Sequence, residues 1–273
     1  MKKEAELNLK NYRHNYFFIY VLLFFVFISE TGAQTIVNTE KLTRQTKKGV
    51  NFGLDINFDI EKGNSDVIQF EGNSIAGYEN KNQAINLLTG LKYLSEDTNE
   101  LIYRNFIHLR HNYFFTPKIR SFAFYQLQRN NSLLLNRRQL FGGGLRKIFT
   151  AADSLKIDFG SGIMYEMEKL SERDTIHNEG INQAVFRMAN VMSIIYRLKS
   201  GLSISDALYF QPDISNFDDF RFLNEVTIGV SLNKYLQLTV SSVWRYDSKP
   251  PLKLESNDIN IQTGLTFRFN RHH

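Results

Sequence analysis

The sequence predicts an all-β fold, a closed antiparallel transmembrane β-barrel of about twelve strands that a cleaved signal peptide precedes. Three observations predict it. Polar and apolar residues alternate along most of the chain after residue 48, which is the two-residue period of a β-strand. Most runs reach about 10–13 residues, longer than the roughly 5–6 of soluble strands and sufficient for a tilted membrane strand. Tight turns and longer loops alternate between successive runs, as at the two rims of an outer-membrane barrel.

The first 33 residues have the features of a secretory signal peptide. Basic residues precede the apolar run YFFIYVLLFFVFI at positions 16–28, and the stretch SETGAQ follows it. The run is shorter than the roughly 20 residues that span a bilayer, which favours cleavage after Ala33 over an uncleaved anchor. Cleavage leaves a short polar segment over residues 34–48, expected in the periplasm, and a barrel over residues 49–273.

Twelve alternating runs predict the strands in order. In the first, over residues 50–60, Val, Phe, Leu or Ile alternates with Asn, Gly or Asp. The other runs cover residues 67–78, 85–93, 101–113, 119–128, 138–149, 154–170, 184–198, 202–210, 220–232, 235–246 and 259–269. Turn-forming stretches such as ENKN, KSG and NK separate them. No stretch sustains the i, i+3, i+4, i+7 apolar pattern of a helix.

Alternation alone does not say which face of a strand meets water. In SLKIDFGSGIMYEMEKL, residues 154–170, Ile157 and Phe159 lie on one face, and Asp158 and Glu166 lie on the other. A soluble sandwich would bury the apolar face, whereas a membrane barrel would present it to lipid. The polar faces carry glycines at positions 53, 160, 162, 229 and 264. A crowded lumen needs small residues and a solvated surface does not, so the glycines favour apolar faces that point outward.

Aromatic residues near the strand ends fit the girdles that membrane barrels place at the two interfaces. These residues are Tyr113, Tyr165, Tyr196, Tyr209, Tyr235, Trp244, Tyr246 and Phe269.

Charged residues on the polar faces form the candidate site. Both signs are interleaved and no ring of a single sign stands out, so the pattern does not indicate strong ion selectivity. Such a set either cross-links and fills the lumen or lines a narrow aqueous path. The lumen-lining candidates are Asp55, Arg104, Arg110, Asp158, Glu166, Glu168, Arg187, Glu225, Arg245 and Arg268.

The sequence offers little for catalysis or cofactors. His108 and His111 are predicted on one strand three residues apart, so they point to opposite faces and cannot form one metal site. Glu166 and Glu168 share a face as glycosidase carboxylates do, but the inward arginines favour salt bridges. Residues 142–144 are three glycines without the Lys-Ser/Thr pair of a phosphate loop, and a close strand contact explains them better. We expect no catalytic residues, cofactor or metal, and the scattered charge gives no reason to expect nucleic acid binding.

Several segments resemble one protein family in order along the chain. They are TIVNTEKL at 35–42, FIHLRHNYFFTPKIRSFAFYQLQRNNSLLLNRRQLFGGGLRKIF at 106–149, MYEME at 164–168, LYFQPDI at 208–214 and WRYDSKPP at 244–251. These segments resemble the domain of unknown function 481 (DUF 481) family of salt-induced outer-membrane proteins. The resemblance implies a small β-barrel in a Gram-negative outer membrane and implies no particular activity. One difference is that the chain continues past Phe269 into Asn-Arg-His-His, whereas outer-membrane barrels often end on an aromatic residue.

The sequence therefore predicts a non-enzymatic outer-membrane β-barrel with both termini in the periplasm. Its expected role is structural in the envelope, or the slow passage of small solutes through a narrow channel. Its expected partners are outer-membrane lipid and the barrel-assembly machinery during insertion. The alternative is a membrane-embedded lipid hydrolase with a His/Ser site.

Overall fold

A computed structural model describes residues 37–39, 48–62, 66–97, 99–152, 154–171, 182–198, 201–233, 236–251 and 254–267. The predicted signal peptide lies outside the described residues. Thirteen antiparallel strands make one sheet in the described part. The strands are β1 Gly49–Glu61, β2 Val67–Glu79, β3 Gln83–Glu96, β4 Asn99–Phe114, β5 Ile119–Asn130, β6 Leu135–Ala152, β7 Leu155–Leu170, β8 Asn182–Met188, β9 Asn190–Arg197, β10 Leu202–Pro212, β11 Phe220–Ser231, β12 Leu236–Asp247 and β13 Asn257–Phe267. A single 3-10 turn, Asn131–Leu133, precedes β6.

The sheet is a simple meander in which each strand pairs with the next one along the chain. The strands β8 and β9 are separated only by Ala189, and both pair with β7, so they occupy one position in the sheet. The predicted run over 184–198 is therefore one interrupted strand, and the sheet has the twelve positions that the alternation predicts. Among the described residues, no helix has the length and apolar character that crossing a membrane requires.

The two rims of the sheet differ, but less regularly than the sequence predicts. Long connections follow β7, β10 and β12 and define the long-loop rim, while tight turns such as residues 80–82 and 115–118 define the short-turn rim. The connection between β3 and β4 is also tight, however, although it lies at the long-loop rim. The long loop predicted after β5 is also short in the structure, because most of its residues extend β5 or β6 or form the 3-10 turn. The start of β1 and the end of β13 lie at the short-turn rim, because Gly49 pairs with Glu79 and Phe267 pairs with Leu236.

The apolar faces of the strands point outward and the charged faces point inward. On β1, Val50 is 85% exposed and Phe52 is 74% exposed, and exposed Ile, Leu and Phe residues continue on the following strands. Charged side chains are buried, including Arg138 at 3% exposure and Glu166 at 2%. This distribution is the reverse of a soluble β-sandwich, which buries the apolar faces of its strands.

The outward aromatic residues cluster on β10, β11 and β12 near the long-loop rim. Phe222 and Trp244 lie with ring centroids 4.9 Å apart, and Phe220 and Tyr246 lie 5.4 Å apart. Tyr209 is not part of this outer group, because its side chain is buried in the interior. It shares its face with Ala207, so the alternation on β10 requires this orientation. Tyr235 and Phe269 lie outside the described residues.

An apolar belt crosses the inner face between the charged regions. Its members come from strands β2 to β12 and alternate with outward residues. They are Ile75, Leu88, Phe122, Leu140, Met164, Val191, Ala207, Tyr209, Leu223 and Val243. This belt differs from the interior that the sequence predicts, which holds mainly charges and glycines.

The sheet is curled but is not closed by hydrogen bonds in the described part of the chain. The strand path begins at β1 and ends at β13, and no pairing joins these two strands among the described residues. The curl brings side chains of distant strands together on the concave face, as Arg221 of β11 and Glu166 of β7 illustrate at 2.7 Å.

The glycines at 142–144 allow β6 and β7 to approach closely, as expected from the sequence. Gly144 pairs with Gly162 across the two strands. A Cβ atom at Gly162 would lie 2.2 Å from the carbonyl oxygen of Gly143, and one at Gly144 would lie 2.1 Å from that of Ser161. Backbone atoms cannot rotate away as a flexible side chain can, so only glycine fits at these two positions.

We predict that Gly162→Ala lowers the free energy of unfolding by about 1–3 kcal/mol, because the added methyl group overpacks the β6–β7 contact. Gly264→Ala is the matched control, since a Cβ atom there has its nearest neighbour at an ordinary 3.6 Å. Urea unfolding, followed by the gel migration of unboiled samples, measures both variants. Equal stability of the two variants would contradict the close contact.

Candidate functional site in the lumen

A buried cluster of ion pairs occupies the interior near the long-loop rim. Arg221 of β11 is at its centre and is 5% exposed. Its Nη1 lies 2.8 and 2.7 Å from the two carboxylate oxygens of Glu166, and its Nη2 lies 3.2 Å from Oε2 of Glu168. Its Nε donates to Oδ2 of Asp247 on β12 at 3.0 Å. One guanidinium therefore joins three carboxylates that come from two strands.

Two further arginines extend this cluster on the side of β7. Nε of Arg187 lies 3.0 Å from Oε1 of Glu166, and its Nη1 lies 2.9 Å from Oδ1 of Asp219 in the loop after β10. Arg138 of β6 donates from Nε to Glu168 and lies 3.9 Å from Glu166. We call Arg138, Glu166, Glu168, Arg187, Asp219, Arg221 and Asp247 the ion-pair cluster.

The ion-pair cluster fills the interior rather than lining a path through it. The sheet positions of β8/β9 and β10 separate β7 from β11, so Arg221 reaches Glu166 and Glu168 across the concave face. All members except Asp219 are buried below one-tenth exposure. Buried charges of both signs in mutual contact satisfy one another, and removal of one partner leaves an uncompensated charge.

The N-terminal segment also enters the interior. Nδ2 of Asn38 donates to Oε2 of Glu225 on β11 at 2.8 Å, and the Tyr209 hydroxyl donates to Oδ1 of Asn38 at 3.1 Å. Thr39 is 2% exposed. At least residues 37–39 of the segment predicted as periplasmic therefore lie inside the curled sheet, against strands β10 and β11.

A small cavity of about 50 Å³ separates this segment from the ion-pair cluster. Val37 and Thr39 line one part of it, and Phe122, Met164 and Val191 of the apolar belt line another. A space of this size holds only a few water molecules. A second cavity of about 80 Å³ lies nearer the long loops, between the cluster and Pro250 and Pro251.

The predicted lumen-lining residues fall into several separate groups. Glu166, Glu168 and Arg187 belong to the ion-pair cluster, and Glu225 holds Asn38. Asp158 accepts a hydrogen bond from Nε of Arg146 at 2.8 Å near the short-turn rim.

Three other predicted residues lie on the inner face away from the cluster. Nη2 of Arg104 lies 3.8 Å from Oε1 of Glu71. Nη1 of Arg245 lies 3.5 Å from Oδ2 of Asp258. Arg110 is buried, with its guanidinium carbon 6.0 Å from the centroid of the Phe122 ring. The side chain of Asp55 and the whole of Arg268 lie outside the described residues.

The central members of the cluster are not among the predicted lumen-lining residues. Arg221 and Arg138 lie inside two of the predicted runs, and Asp247 lies one residue past the run that ends at 246. The signal was present, because Arg221 shares a face with Glu225 and Arg138 shares a face with Arg146. The alternation therefore identifies Arg221 and Arg138 as inward residues, and its extension by one residue identifies Asp247.

His108 is buried in the interior, while His111 lies on the opposite face of β4. Nδ1 of His108 lies 2.9 Å from Oε1 of Gln126, and its ring stacks on Phe124 at a centroid distance of 5.5 Å. Nε2 of His111 lies 3.1 Å from Oε1 of Gln83. The two imidazoles do not meet, as their spacing predicts. In the described residues, no group of three or more His, Asp or Glu side chains is placed to hold a metal ion.

Sequence comparison identifies the family. A profile described as "Protein of unknown function, DUF481" matches residues 51–269, which is most of the chain. The chain belongs to this DUF481 family. This confirms the resemblance found from the sequence, and the match covers the strands from β1 onward. No curated protein sequence matches the chain.

Several solved structures are similar to this DUF481 protein at low levels. The siderophore receptor PirA from Pseudomonas aeruginosa has 14% identity over 82% of this chain, with a TM-score of 0.41, and this chain spans about half (47%) of the receptor's length. The NanC porin has 8% identity over 80% of this chain and 100% of its own, with a TM-score of 0.46. A bacterial polysaccharide outer-membrane secretin has 14% identity over 81% of each chain, with a TM-score of 0.45. Similarities of this size carry no conclusion about this chain.

We predict that Arg221→Met destabilises this DUF481 protein by about 3–5 kcal/mol, because it leaves Glu166, Glu168 and Asp247 without their shared cation. Arg221→Lys keeps the charge but loses the forked geometry, so its loss should be intermediate. Arg197→Met is the control, since Arg197 is exposed and its loss should change stability by less than about 0.5 kcal/mol. Urea unfolding measures all three, and equal losses for Arg221→Met and Arg197→Met would refute the role of the cluster.

Proposed function

We propose that the protein is an outer-membrane β-barrel whose lumen is closed by its own side chains. The observation that carries this proposal is the reversed distribution of side chains, with large apolar groups exposed outside and ion pairs buried inside. Exposed apolar surface of this extent is unfavourable in water and favourable in hydrocarbon. The outward aromatic group near the long-loop rim supports the same environment, because aromatic rings collect at membrane interfaces.

The proposal requires that β1 and β13 meet in the membrane. An unpaired strand edge in hydrocarbon leaves its backbone N–H and C=O groups without partners, which costs several kcal/mol for each group. Both free ends of the strand path lie at the short-turn rim, and the twelve positions are an even number, as in single-chain bacterial barrels. Short turns face the periplasm in such barrels, so both termini are placed there.

The interior favours a structural role in the envelope over that of an open pore. The ion-pair cluster fills the region near the long-loop rim, and residues 37–39 occupy the region below it. The cavity between them, and the cavity between the cluster and the long loops, hold only water-sized or slightly larger groups. Any passage is therefore limited to slow movement of small solutes. The barrel-assembly machinery would insert the chain, as it does other proteins of this architecture.

The surroundings of His108 favour a structural rather than a catalytic role. Its Nδ1 contacts an amide oxygen of Gln126, whereas a triad histidine has a carboxylate at that position. Its ring lies between buried side chains at 3% exposure, away from the outward face where lipid would lie. We therefore propose that the protein is not a lipid hydrolase.

The closed lumen predicts no stable single-channel current when the refolded protein is added to a planar bilayer. Removal of residues 34–47 combined with Arg221→Ala, Glu166→Ala and Glu168→Ala should produce a measurable current, because both obstructions are then reduced. The deletion alone should give a smaller current. The gel shift of unboiled samples shows that each variant is folded, and steady ohmic current from the unmodified protein would refute the closed lumen.

The absence of hydrolase activity is tested with phospholipid vesicles that contain the folded protein. We expect no release of fatty acid from the unmodified protein, and no difference between it and His108→Ala or His111→Ala. Release that the His108 variant abolishes and the His111 variant retains would establish the hydrolase instead.

A further inference from the structure

Three cations form a row on the outer face at the long-loop rim. Arg129 is near the end of β5, Arg137 is near the start of β6, and Lys169 is near the end of β7. Arg137 pairs directly with Lys169, and the register shift between β5 and β6 places Arg129 beside Arg137. Arg129 and Arg137 are exposed, and each neighbours a buried inward residue, Gln128 and Arg138 respectively. We call these three residues the cation row.

The cation row has no acidic partner in the described part of the chain. None of the three side chains forms an ion pair with Asp or Glu there. The contact shown for Arg129 is with the ring of Tyr103, whose centroid is 5.3 Å from the guanidinium carbon. Like charges on directly opposite strand positions repel one another, so this arrangement is unfavourable unless an anion lies over it.

Apolar residues continue from the cation row toward the middle of the sheet on the same outer face. The outward positions below it on the three strands include Tyr125, Phe141 and Tyr165. Tyr125 and Phe141 are in contact, with ring centroids 4.7 Å apart. A ligand that covers this surface needs an anionic head at the rim and an apolar body below it.

We propose that the cation row binds the phosphorylated headgroup of a membrane glycolipid, with the acyl chains lying against the apolar surface below. The inference rests on the proposed membrane location, which places the long-loop rim at the outer leaflet. The major lipid of that leaflet carries phosphates on its sugar headgroup. Arginine binds phosphate through its planar fork and lysine binds it as a point charge, so the row suits a doubly phosphorylated head.

The cation row differs in position from the other positively charged residues at the two rims of the sheet. At the same rim, the outer ends of β10, β11 and β12 carry the aromatic group around Phe222 and Trp244 instead of cations. Exposed Lys62 and Lys249 also lie at the long-loop rim, but each lies past the end of its strand, β1 or β12, and pairs with no cation across the described part of the sheet. Lys81, Lys118 and Lys147 lie at the short-turn rim. The glycolipid site is therefore predicted on one side of the barrel only, over β5, β6 and β7.

Native mass spectrometry of the folded protein in detergent tests the proposal with bisphosphorylated lipid A as the probe. The test variant is Arg129→Gln/Arg137→Gln/Lys169→Gln. The matched control, Lys81→Gln/Lys118→Gln/Lys147→Gln, removes the same charge from the opposite rim. We expect the test variant to bind lipid A about a hundredfold more weakly, since each cation near a charged lipid surface contributes about a factor of five. The control should bind as the unmodified protein does.

Two further binding measurements distinguish a lipid phosphate from free phosphate as the ligand. Dephosphorylated lipid A should bind the unmodified protein as weakly as lipid A binds the test variant, and millimolar inorganic phosphate should not displace lipid A. Equal binding by the test variant and the control, or displacement by free phosphate, would overturn the proposal. The gel shift of unboiled samples separates this failure from failure of the proposed barrel, because a chain that is not a membrane barrel shows no such shift.

Discussion

The contact between Arg221 and the glutamates of β7 is the interaction on which the interior depends. A curled sheet with apolar groups outside has to enclose its polar groups, and enclosed charges are tolerated only where each has a partner. Arg221 supplies partners to Glu166, Glu168 and Asp247 at once. Because β7 and β11 are three positions apart in the sheet, the contacts of Arg221 with Glu166 and Glu168 stabilise the curvature of the sheet and fill the space that it encloses. The same ion pairs therefore both hold the sheet in its curled shape and fill the space inside it.

The apolar belt divides the interior into regions with different environments. Above it lies the ion-pair cluster, and below it lies the pair of Arg146 and Asp158. Residues 37–39 lie beside the belt, where Tyr209 and Glu225 hold Asn38. An open water-filled channel would favour polar groups at this depth, so the belt is better explained as packing surface for the N-terminal segment inside the curled sheet. The segment and the belt therefore form one unit of the interior.

Most of the strand order could be predicted from the sequence, because alternation with a period of two is a local property of the chain. The assignment of Glu166, Glu168 and Arg187 to the inner face followed from the same property. The contacts between inward side chains could not be predicted, because the curvature of the sheet, and not their separation along the chain, brings Arg221 and Glu166 together. The inward position of Tyr209 was missed for a different reason, because this aromatic residue was assigned to the outer girdle by its chemistry and not by its place in the alternation. The entry of Asn38 had no local signal at all.

The chain contains one tryptophan, and the structure places its side chain outward on β12 beside Phe222. Its indole Nε1 lies 3.2 Å from Oδ1 of Asn257 on β13, the last strand of the sheet. The tryptophan fluorescence of the whole protein therefore originates at the contact between the last two strands, close to the unpaired edge of the described sheet. A shift in the wavelength of that emission would report on the pairing of β12 with β13 without any added dye.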